Sequence, residues 1–397
     1  PNDFERGRVF GRAAQALRDW PRVILTDDDF GTFLRERKRL KDDRAWGSST
    51  KEAVEKMLPW VPGTDPRDRL DRLNNLLAQE EVRARLALAQ VHGVGSKTAK
   101  AWYDKRVRSL DDLRAAANGA FPGVQLNAAQ RTGLELLDDL SVRIPRAEVE
   151  DIAARVRAAV EAELPGHTED LFCQPTGSYR RGNATSGDVD VLVSPAESAP
   201  DEVRAGLLAR VVARLRREGF VTHVLAEAKA KHGGGCQTFM GVCRMPRDGA
   251  PHRRLDIKVY ARKHLPFALV YFTGGDHFNR SARHYAKQVK KWHLNDTGLY
   301  AQADPNTDGG YGPSFECKTE RDVFDKLGIE YREPTERTGT VVPIHADNGA
   351  TSGGARPAKE GKEAEKEERL DESSEELRLT ISALLQRAQR PPQNQSP

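Results

Sequence analysis

The sequence holds only four cysteines, at 173, 236, 243 and 317, and no Cys-x-x-Cys pair. They are too few and too scattered for a disulfide scaffold and lack the spacing of a zinc site, so reduced, buried thiols are expected. Long apolar runs are missing as well. The longest, residues 265–272, falls well short of the roughly 18 residues that a membrane-crossing helix needs, which excludes a membrane protein. Nor does one sign of charge dominate: 63 Lys and Arg stand against 59 Asp and Glu, a net +4. That balance permits nucleic-acid binding without arguing for it. The chain opens at Pro1 rather than Met, with no secretory apolar stretch behind it, so its start is silent on the compartment.

The patterning that is present divides the chain. Val9, Ala13, Ala16 and Leu17 recur at helical spacing until Trp20-Pro21 stops them, and Leu70, Leu73, Leu76 and Leu77 mark a second amphipathic helix. Between them residues 22–50 form a charged insert. Strand-like alternation begins near Leu171, continues at 189–193, and returns at 239–243 and 254–260, with helical stretches at 146–164 and 202–218. That order predicts a mixed sheet with helices packed on it. Residues 346–376 are rich in Gly, Ala, Glu and Lys and read as a solvated linker, followed by one exposed helix over 375–390.

The strongest chemical signal is Gly177-Ser178-Tyr179-Arg180-Arg181-Gly182, then Gly187-Asp188-Val189-Asp190. Asp188 and Asp190 are two apart at the start of a strand, so they point to one face. Carboxylates held side by side repel unless a cation sits between them. The upstream Gly-Ser and arginine pair supply what a phosphate-binding turn needs: close backbone approach, a hydroxyl and positive charge. A third acid, Asp256, lies in a second alternating strand. Three acids from adjacent strands can hold two Mg2+ ions about 3.5–4 Å apart, the arrangement for in-line phosphoryl transfer, with Mn2+ as a substitute. An isolated Asp-x-Asp would be read as surface carboxylates on an edge strand; the company these two keep argues otherwise.

These residues resemble the nucleotidyltransferase superfamily, and within it the family X DNA polymerases, the beta and lambda group. The resemblance extends through Phe239-Met240-Gly241-Val242-Cys243, His252-Arg253-Arg254-Leu255-Asp256-Ile257, Tyr271-Phe272-Thr273-Gly274-Gly275 with Phe278-Asn279, and Tyr331-Arg332-Glu333-Pro334. It covers residues from about 90 to 338 well, 1–89 weakly, and the tail not at all. It implies an α+β fold: a nucleotidyltransferase-type palm with a mixed sheet, helical helix-hairpin-helix domains before it, and a small α/β subdomain binding the nascent base pair after it. The expected boundaries are 1–89 for a lyase-like helical domain, 90–145 for the duplex-binding helix-hairpin-helix subdomain, 146–262 for the palm, 263–338 for the nascent-pair subdomain and 339–397 for a flexible charged tail.

The resemblance also implies roles. Asp188 and Asp190 would ligate both metals and Asp256 the catalytic one. Gly177, Ser178, Arg181 and Gly187 would meet the nucleotide's phosphates, in a site that works by positioning and electrostatics. Tyr271, Phe272 and Gly274 look like a loop beneath the sugar that excludes a 2′-hydroxyl, the alternative being ordinary core aromatics. Asp276 and Asn279 would face the base, Arg283 the template, and Arg254 the DNA. Gly275 departs from the pattern, standing where Ser is common. Phe272 stands where terminal transferases usually carry Trp, which favours templated synthesis. The long connection after Val221, with Gly233-Gly234-Gly235, leaves some template-independent addition open, though a Gly-rich surface hairpin is the simpler account.

Gly93-Val94-Gly95, before a helix carrying Lys97, Lys100 and Trp102, resembles a helix-hairpin-helix turn. Such a turn grips a DNA phosphate through backbone amides, and the carbonyls of Ala89, Val91 and Val94 would hold a monovalent cation. An earlier turn, Leu58-Pro59-Trp60-Val61-Pro62-Gly63, keeps one glycine where two are usual. The lysine that forms a Schiff base with an abasic sugar in the beta and lambda enzymes is replaced here by Arg69, or by Asp68 if the gap is placed differently, and neither can make an imine. Lys51 and Lys56 are the nearest substitutes, so lyase activity is expected to be absent or displaced.

The function expected is therefore a DNA-directed DNA polymerase that fills short gaps in base excision or end-joining repair. Its partners would be gapped or nicked DNA and dNTPs, with no membrane. It would act as a monomer, with repair proteins engaged through the tail, in the nucleus or the mitochondrion. The alternatives are a 5′-deoxyribose phosphate lyase as main or additional activity, a template-independent terminal transferase, and a DNA-binding scaffold without catalysis.

Overall fold

A computed structural model describes Asn75, residues 77–230, 236–301 and 311–337, Val341 and Ile344, with the side chains of 227–230 left aside. The predicted N-terminal helices, the 22–50 insert, Lys51, Lys56, Arg69, the 233–235 glycines and the tail helix lie outside these residues. The chain divides into two units at Leu86, and nearly all the described residues belong to the second. Among the described residues no helix is long and apolar enough to cross a membrane.

This second unit begins with short helices: the end of α1 (Glu80–Leu88), then α2 (Ser96–Asp104), α3 (Leu110–Ala117), α4 (Ala128–Glu135) and α5 (Leu137–Ser141). Reciprocal caps fix two of their starts. Ser109 Oγ accepts from the Asp112 amide at 3.0 Å while the Asp112 carboxylate accepts from Ser109, and Asn127 and Gln130 do the same for α4. Leu88, Val91, Val94, Trp102 and Leu113 bury against one another between the helices. Gly93, at φ +79°, makes the turn between α1 and α2, and its carbonyl accepts from the Gln130 amide at 2.9 Å.

The central sheet has five strands in the order β2 (Phe172–Pro175), β4 (Val189–Ser194), β7 (His252–Tyr260), β6 (Cys236–Arg244), β5 (Val221–Ala230), within the stretch expected to be the palm. β4 and β7 run parallel and the other neighbours antiparallel. Helices α6 (Arg146–Ala162) and α9 (Leu207–Arg217) cover one face. The period of two sorts the strands cleanly. Val189, Val191 and Val193 of β4, with Leu255, Ile257 and Val259 of β7, pack toward Val149, Ile152, Val156 and Leu215 of the helices. The intervening residues, Asp190 and Leu192 on one strand and Arg254, Asp256, Lys258 and Tyr260 on the other, therefore share the opposite face.

Two elements differ from expectation. The helix predicted over 202–218 is two, α8 (Asp201–Arg204) and α9, because Gly206 sits at φ +63° between them. The connection after Val221 contains a strand, β5, paired antiparallel with β6 as a hairpin account expects, but β6 starts at Cys236 rather than 239. Its pairing shifts register three times, between Val221 and Lys229. Each bulge breaks the alternation by which a strand is read in sequence.

Beyond the palm come α10 (Leu265–Thr273), α11 (Asp276–Tyr285), a π turn (Ala286–Lys290), the β8 (His293–Leu294) and β9 (Leu299–Tyr300) hairpin, and α12 (Glu320–Leu327). Phe267, Phe278, Leu299, Phe324 and Leu327 form their common core. All four cysteines are free and buried. Burial pushes the Cys173 and Cys243 thiols up to about 12, which leaves them unreactive.

A buried ion pair joins α6 to β7. Arg253 Nε and Nη2 meet the Glu148 carboxylate at 2.9 and 3.0 Å, and Arg253 Nη1 donates to the Val142 carbonyl at 2.9 Å. Removing one partner strands a buried charge, so Arg253→Met is expected to cost about 3–5 kcal/mol, and Arg253→Met with Glu148→Met far less. Urea midpoints of the two variants check this. Equal losses would mean that the pair is not what holds α6.

Candidate active site

The parallel register of β4 and β7 sets Asp190 directly opposite Asp256. Asp188 lies just ahead of β4 on the same side, and the three acids each bring a carboxylate oxygen to within 4.8 Å of the others. Asp256 is 6% exposed, and its Oδ1 is buried with no hydrogen-bond partner in the protein. Three converging carboxylates, one oxygen of which the fold leaves unsatisfied, are the donor set of a hard divalent cation. The residues present fit such an ion.

The charge is balanced from the same face. Arg254 Nη2 donates to Asp188 Oδ2 at 2.6 Å. Lys258 Nζ donates to Asp190 Oδ1 and lies 3.7 Å from Asp256 Oδ2. Burial pulls the Lys258 ammonium down, but Asp190 and Asp256 outweigh it and its pKa ends above the ordinary value. For Asp256 burial is the larger force, with Asp190 and Asp188 adding to it against Lys258 and Arg254. Its carboxyl is pushed up to about 7. Lys258 was not among the residues assigned from sequence, although its spacing of two from Asp256 already put it on the site face. Arg254, expected to contact DNA, bonds a carboxylate of the triad in this structure.

The turn from 177 to 187 closes over this face. Gly177 has φ +55° and opens α7 (Gly177–Arg180), where a Cβ would lie 2.6 Å from Asp190 Oδ2. Only glycine lets the turn approach the carboxylate so closely. Ser178 Oγ donates to Ser186 Oγ at 3.0 Å. Behind the turn, Arg143 Nε donates to Thr185 Oγ1 at 3.1 Å, and Arg146 stacks 3.9 Å over the Tyr179 ring while donating to the Tyr179 and Asn183 carbonyls. A short pairing of β1 (Ile144–Pro145) with β3 (Thr185–Ser186) fixes its far end next to Gly187. Neither arginine was singled out in sequence.

Arg180 and Arg181 reach the next subdomain. Arg181 Nη1 donates to the Thr273 carbonyl at 3.1 Å, and Arg180 bonds Thr273 Oγ1 at 2.5 Å and Glu320 at 2.6 and 3.0 Å. Arg337, fully buried, meets Glu320 from the other side at 2.6 Å. Burial works against an ionised Glu320, yet the two guanidiniums outweigh it and hold the carboxyl below the usual range.

Tyr271 and Phe272 do not form a loop, as the resemblance implied. They are the last turn of α10, which Gly274 ends. Their rings meet edge to face at 5.1 Å, Lys258 Nζ lies 4.7 Å over Phe272, and Arg283 lies 5.3 Å over Tyr271. Asn279 is buried and donates to the Tyr271 carbonyl at 2.5 Å and the Gly274 carbonyl at 3.3 Å, so its amide braces this corner. A Cβ on Gly274 would lie 2.6 Å from Asn279 Oδ1, which accounts for that glycine. Asp276 pairs with Arg280 along α11. The Gly275 amide donates to the Arg337 carbonyl at 3.2 Å. On the α1–α2 turn, Gly95 is the N-cap of α2, Lys97 is exposed in its first turn, and the Val91 carbonyl accepts from Val94 at 3.1 Å.

Because burial pushes the Asp256 carboxyl up to about 7, a divalent ion has to displace its proton to bind below that pH. Binding of Mn2+, followed by calorimetry, should therefore tighten from about pH 6 to about pH 8 and release a proton per site. Asp256→Asn should remove both the pH dependence and most of the affinity. A pH-independent affinity would mean that Asp256 is already ionised at pH 6, and an undiminished affinity in Asp256→Asn would rule it out as a ligand.

Three family models match in sequence order: the fingers domain of DNA polymerase lambda over residues 87–141, the DNA polymerase beta palm over 143–262 and the DNA polymerase beta thumb over 268–338. The chain is similar to DNA polymerase lambda of Rattus norvegicus, 40% identical over 252 residues, which are 63% of this chain and 41% of that protein. It is 35% identical to DNA polymerase lambda of Arabidopsis thaliana over 355 residues, 85% of this chain and 63% of that one. It is 30% identical over 290 residues to DNA-directed DNA/RNA polymerase mu of Homo sapiens, 67% of this chain and 55% of that one. The chain thus spans 41–63% of the length of these curated relatives. With palm, thumb and fingers models together matching more than half of its residues, and three acids of the palm converging on one point, the chain belongs to the family of DNA polymerases beta and lambda.

Proposed function

We propose that the chain is a DNA-directed DNA polymerase that extends a primer 3′-hydroxyl with a dNTP across a short gap. The observation that carries this is the convergence of Asp188, Asp190 and Asp256 beneath the Gly177 turn. Two Mg2+ ions held by these acids would activate the primer hydroxyl and offset charge on the leaving pyrophosphate. Ser178 and Arg181, with the backbone at Gly187, orient the triphosphate, and the end of α10 bears against the sugar. The α1–α2 turn grips a DNA phosphate through its amides, with a monovalent cation on the carbonyls of Ala89, Val91 and Val94. The similarity to proteins named as DNA polymerases supports the same reading. We take the chain to act as a monomer without lyase chemistry, since Arg69 stands at the position expected for the nucleophile.

The test is a one-nucleotide gapped duplex with Mg2+ and one dNTP, the downstream strand carrying a 5′-deoxyribose phosphate and borohydride added to one set. Templated insertion without a trapped adduct is expected. Asp256→Ala should lower insertion by about 10³-fold or more while leaving DNA affinity unchanged. A trapped adduct would show that a lysine such as Lys51 or Lys56 serves as a lyase nucleophile. Failure to insert would overturn the polymerase reading.

A further inference from the structure

Among the described residues, three large apolar side chains stand more than half exposed: Val142, Val289 and Ile344, at 59, 60 and 55%. Scattered singly, such residues need no account. Val289 and Ile344, however, flank one run of contacts on the thumb. Val289 lies in the π turn after α11, and the next residue, Lys290, brings its ammonium to the end of α12, where a Cβ on Gly328 would lie 3.2 Å from Lys290 Nζ. Ile344 sits at the same glycine, its amide donating to the Gly328 carbonyl at 2.9 Å. From there the run continues through Trp292 and Phe315. Both are half-buried at the edge of the thumb core, and their ring centres are 4.6 Å apart. Lys290 Nζ lies 5.6 Å over Trp292, and Lys326 Nζ lies 5.6 Å over Phe315. The result is an apolar strip edged by ammonium groups, to which the exposed Lys287 of the π turn adds a further one.

The chain that continues from Ile344 carries the matching pattern. Leu377, Ile381, Leu384 and Leu385 fall at i, i+4, i+7 and i+8, one face of a helix. Ser373-Ser374-Glu375-Glu376 offers the Ser-x-x-Glu of a capping box at its start. Acids crowd that start: Asp371 and Glu372 before it, Glu375 and Glu376 within it. A short helix with one apolar face takes most of its stability from covering that face. An acidic start ahead of an apolar face complements a cationic, apolar strip in both charge and character. The stretch between them, 346–372, reads as a solvated linker and spans on the order of 30 Å as a coil. That is enough to return the helix to the place where the tail leaves the thumb.

We propose that residues 373–386 dock, as an amphipathic helix of the same chain, on the thumb strip formed by Val289, Trp292, Phe315 and Ile344. Lys290 and Lys326 meet the acids at its start. The test uses the full chain. Hydrogen exchange at the amides of 377–386 should be slowed about tenfold or more relative to those of 351–354. Lys290→Glu with Lys326→Glu should remove most of that slowing, whereas Lys290→Arg with Lys326→Arg should keep it. On mild oxidation, Val289→Cys with Leu384→Cys should form an intrachain disulfide about tenfold faster than Val289→Cys with Ser352→Cys. Loop closure alone favours the second pair, whose loop is shorter. The native thiols among the described residues are buried and do not compete. Unslowed exchange, slowing that survives the charge reversals, or equal rates for the two cysteine pairs would overturn the docking. So would a disulfide that links two chains, which would make a second copy the occupant.

Discussion

Parallel pairing of β4 with β7 brings Asp190 and Asp256 side by side, and every other part of the palm answers the repulsion this creates. Like charges a few ångströms apart, with one nearly buried, cannot both ionise at ordinary pH unless cations meet them. The chain supplies two, Arg254 on Asp188 and Lys258 between Asp190 and Asp256, both from β7 itself. Even so, the carboxyl of Asp256 is held near 7. The protein spends stability to keep acids together, which is intelligible if their work is to receive a divalent ion.

The same face dictates what surrounds it. A turn that must pass close to Asp190 has glycine at 177, and the turn is then fixed from outside rather than by its own bulk: Arg143 and Arg146 from behind, Ser186 from below, Thr273 from across the joint with the thumb. The joint depends on a second compensated acid. Glu320 is buried between Arg180 and Arg337, so a residue of the phosphate turn, a thumb helix and the segment after it share one charge balance. Movement of the thumb against the palm has to re-form those bonds or exchange them for others, and the arginine next to Arg180 is the one assigned to the nucleotide's phosphates.

What sequence conveyed of this depends on the physical range of each signal. The triad was legible because a spacing of two on a strand fixes a common face, and the Gly-Ser-x-Arg-Arg run adds a local turn to it. The parallel register that sets Asp256 opposite Asp190 was not read from sequence, since no local pattern encodes which way neighbouring strands run. Lys258 could have been found by the same period of two, which puts it on the face of Asp256. Glu320 and Arg337 could not have been: they lie 140 and 157 residues from Arg180, and an acid in the first turn of a helix is expected anyway from the helix dipole. The bounds of the β5–β6 hairpin were blurred by its bulges, and the Tyr271-Phe272 corner was misjudged as a loop although Pro266 and Gly274 bracket a helix there.

The misjudged corner matters for how selectivity can arise. A loop beneath the sugar would be free to adjust, whereas the end of a helix moves only with the helix. α10 is tied at its start by His264 to the β8–β9 turn, at its end by Asn279 and the two arginines of the phosphate turn, and along its side by Tyr260. If the end of α10 bears on the nucleotide as proposed, a wall held at so many points would reject a misfit by resisting displacement, not by offering a better contact to the correct nucleotide. Discrimination in such a site is a property of the whole joint between palm and thumb.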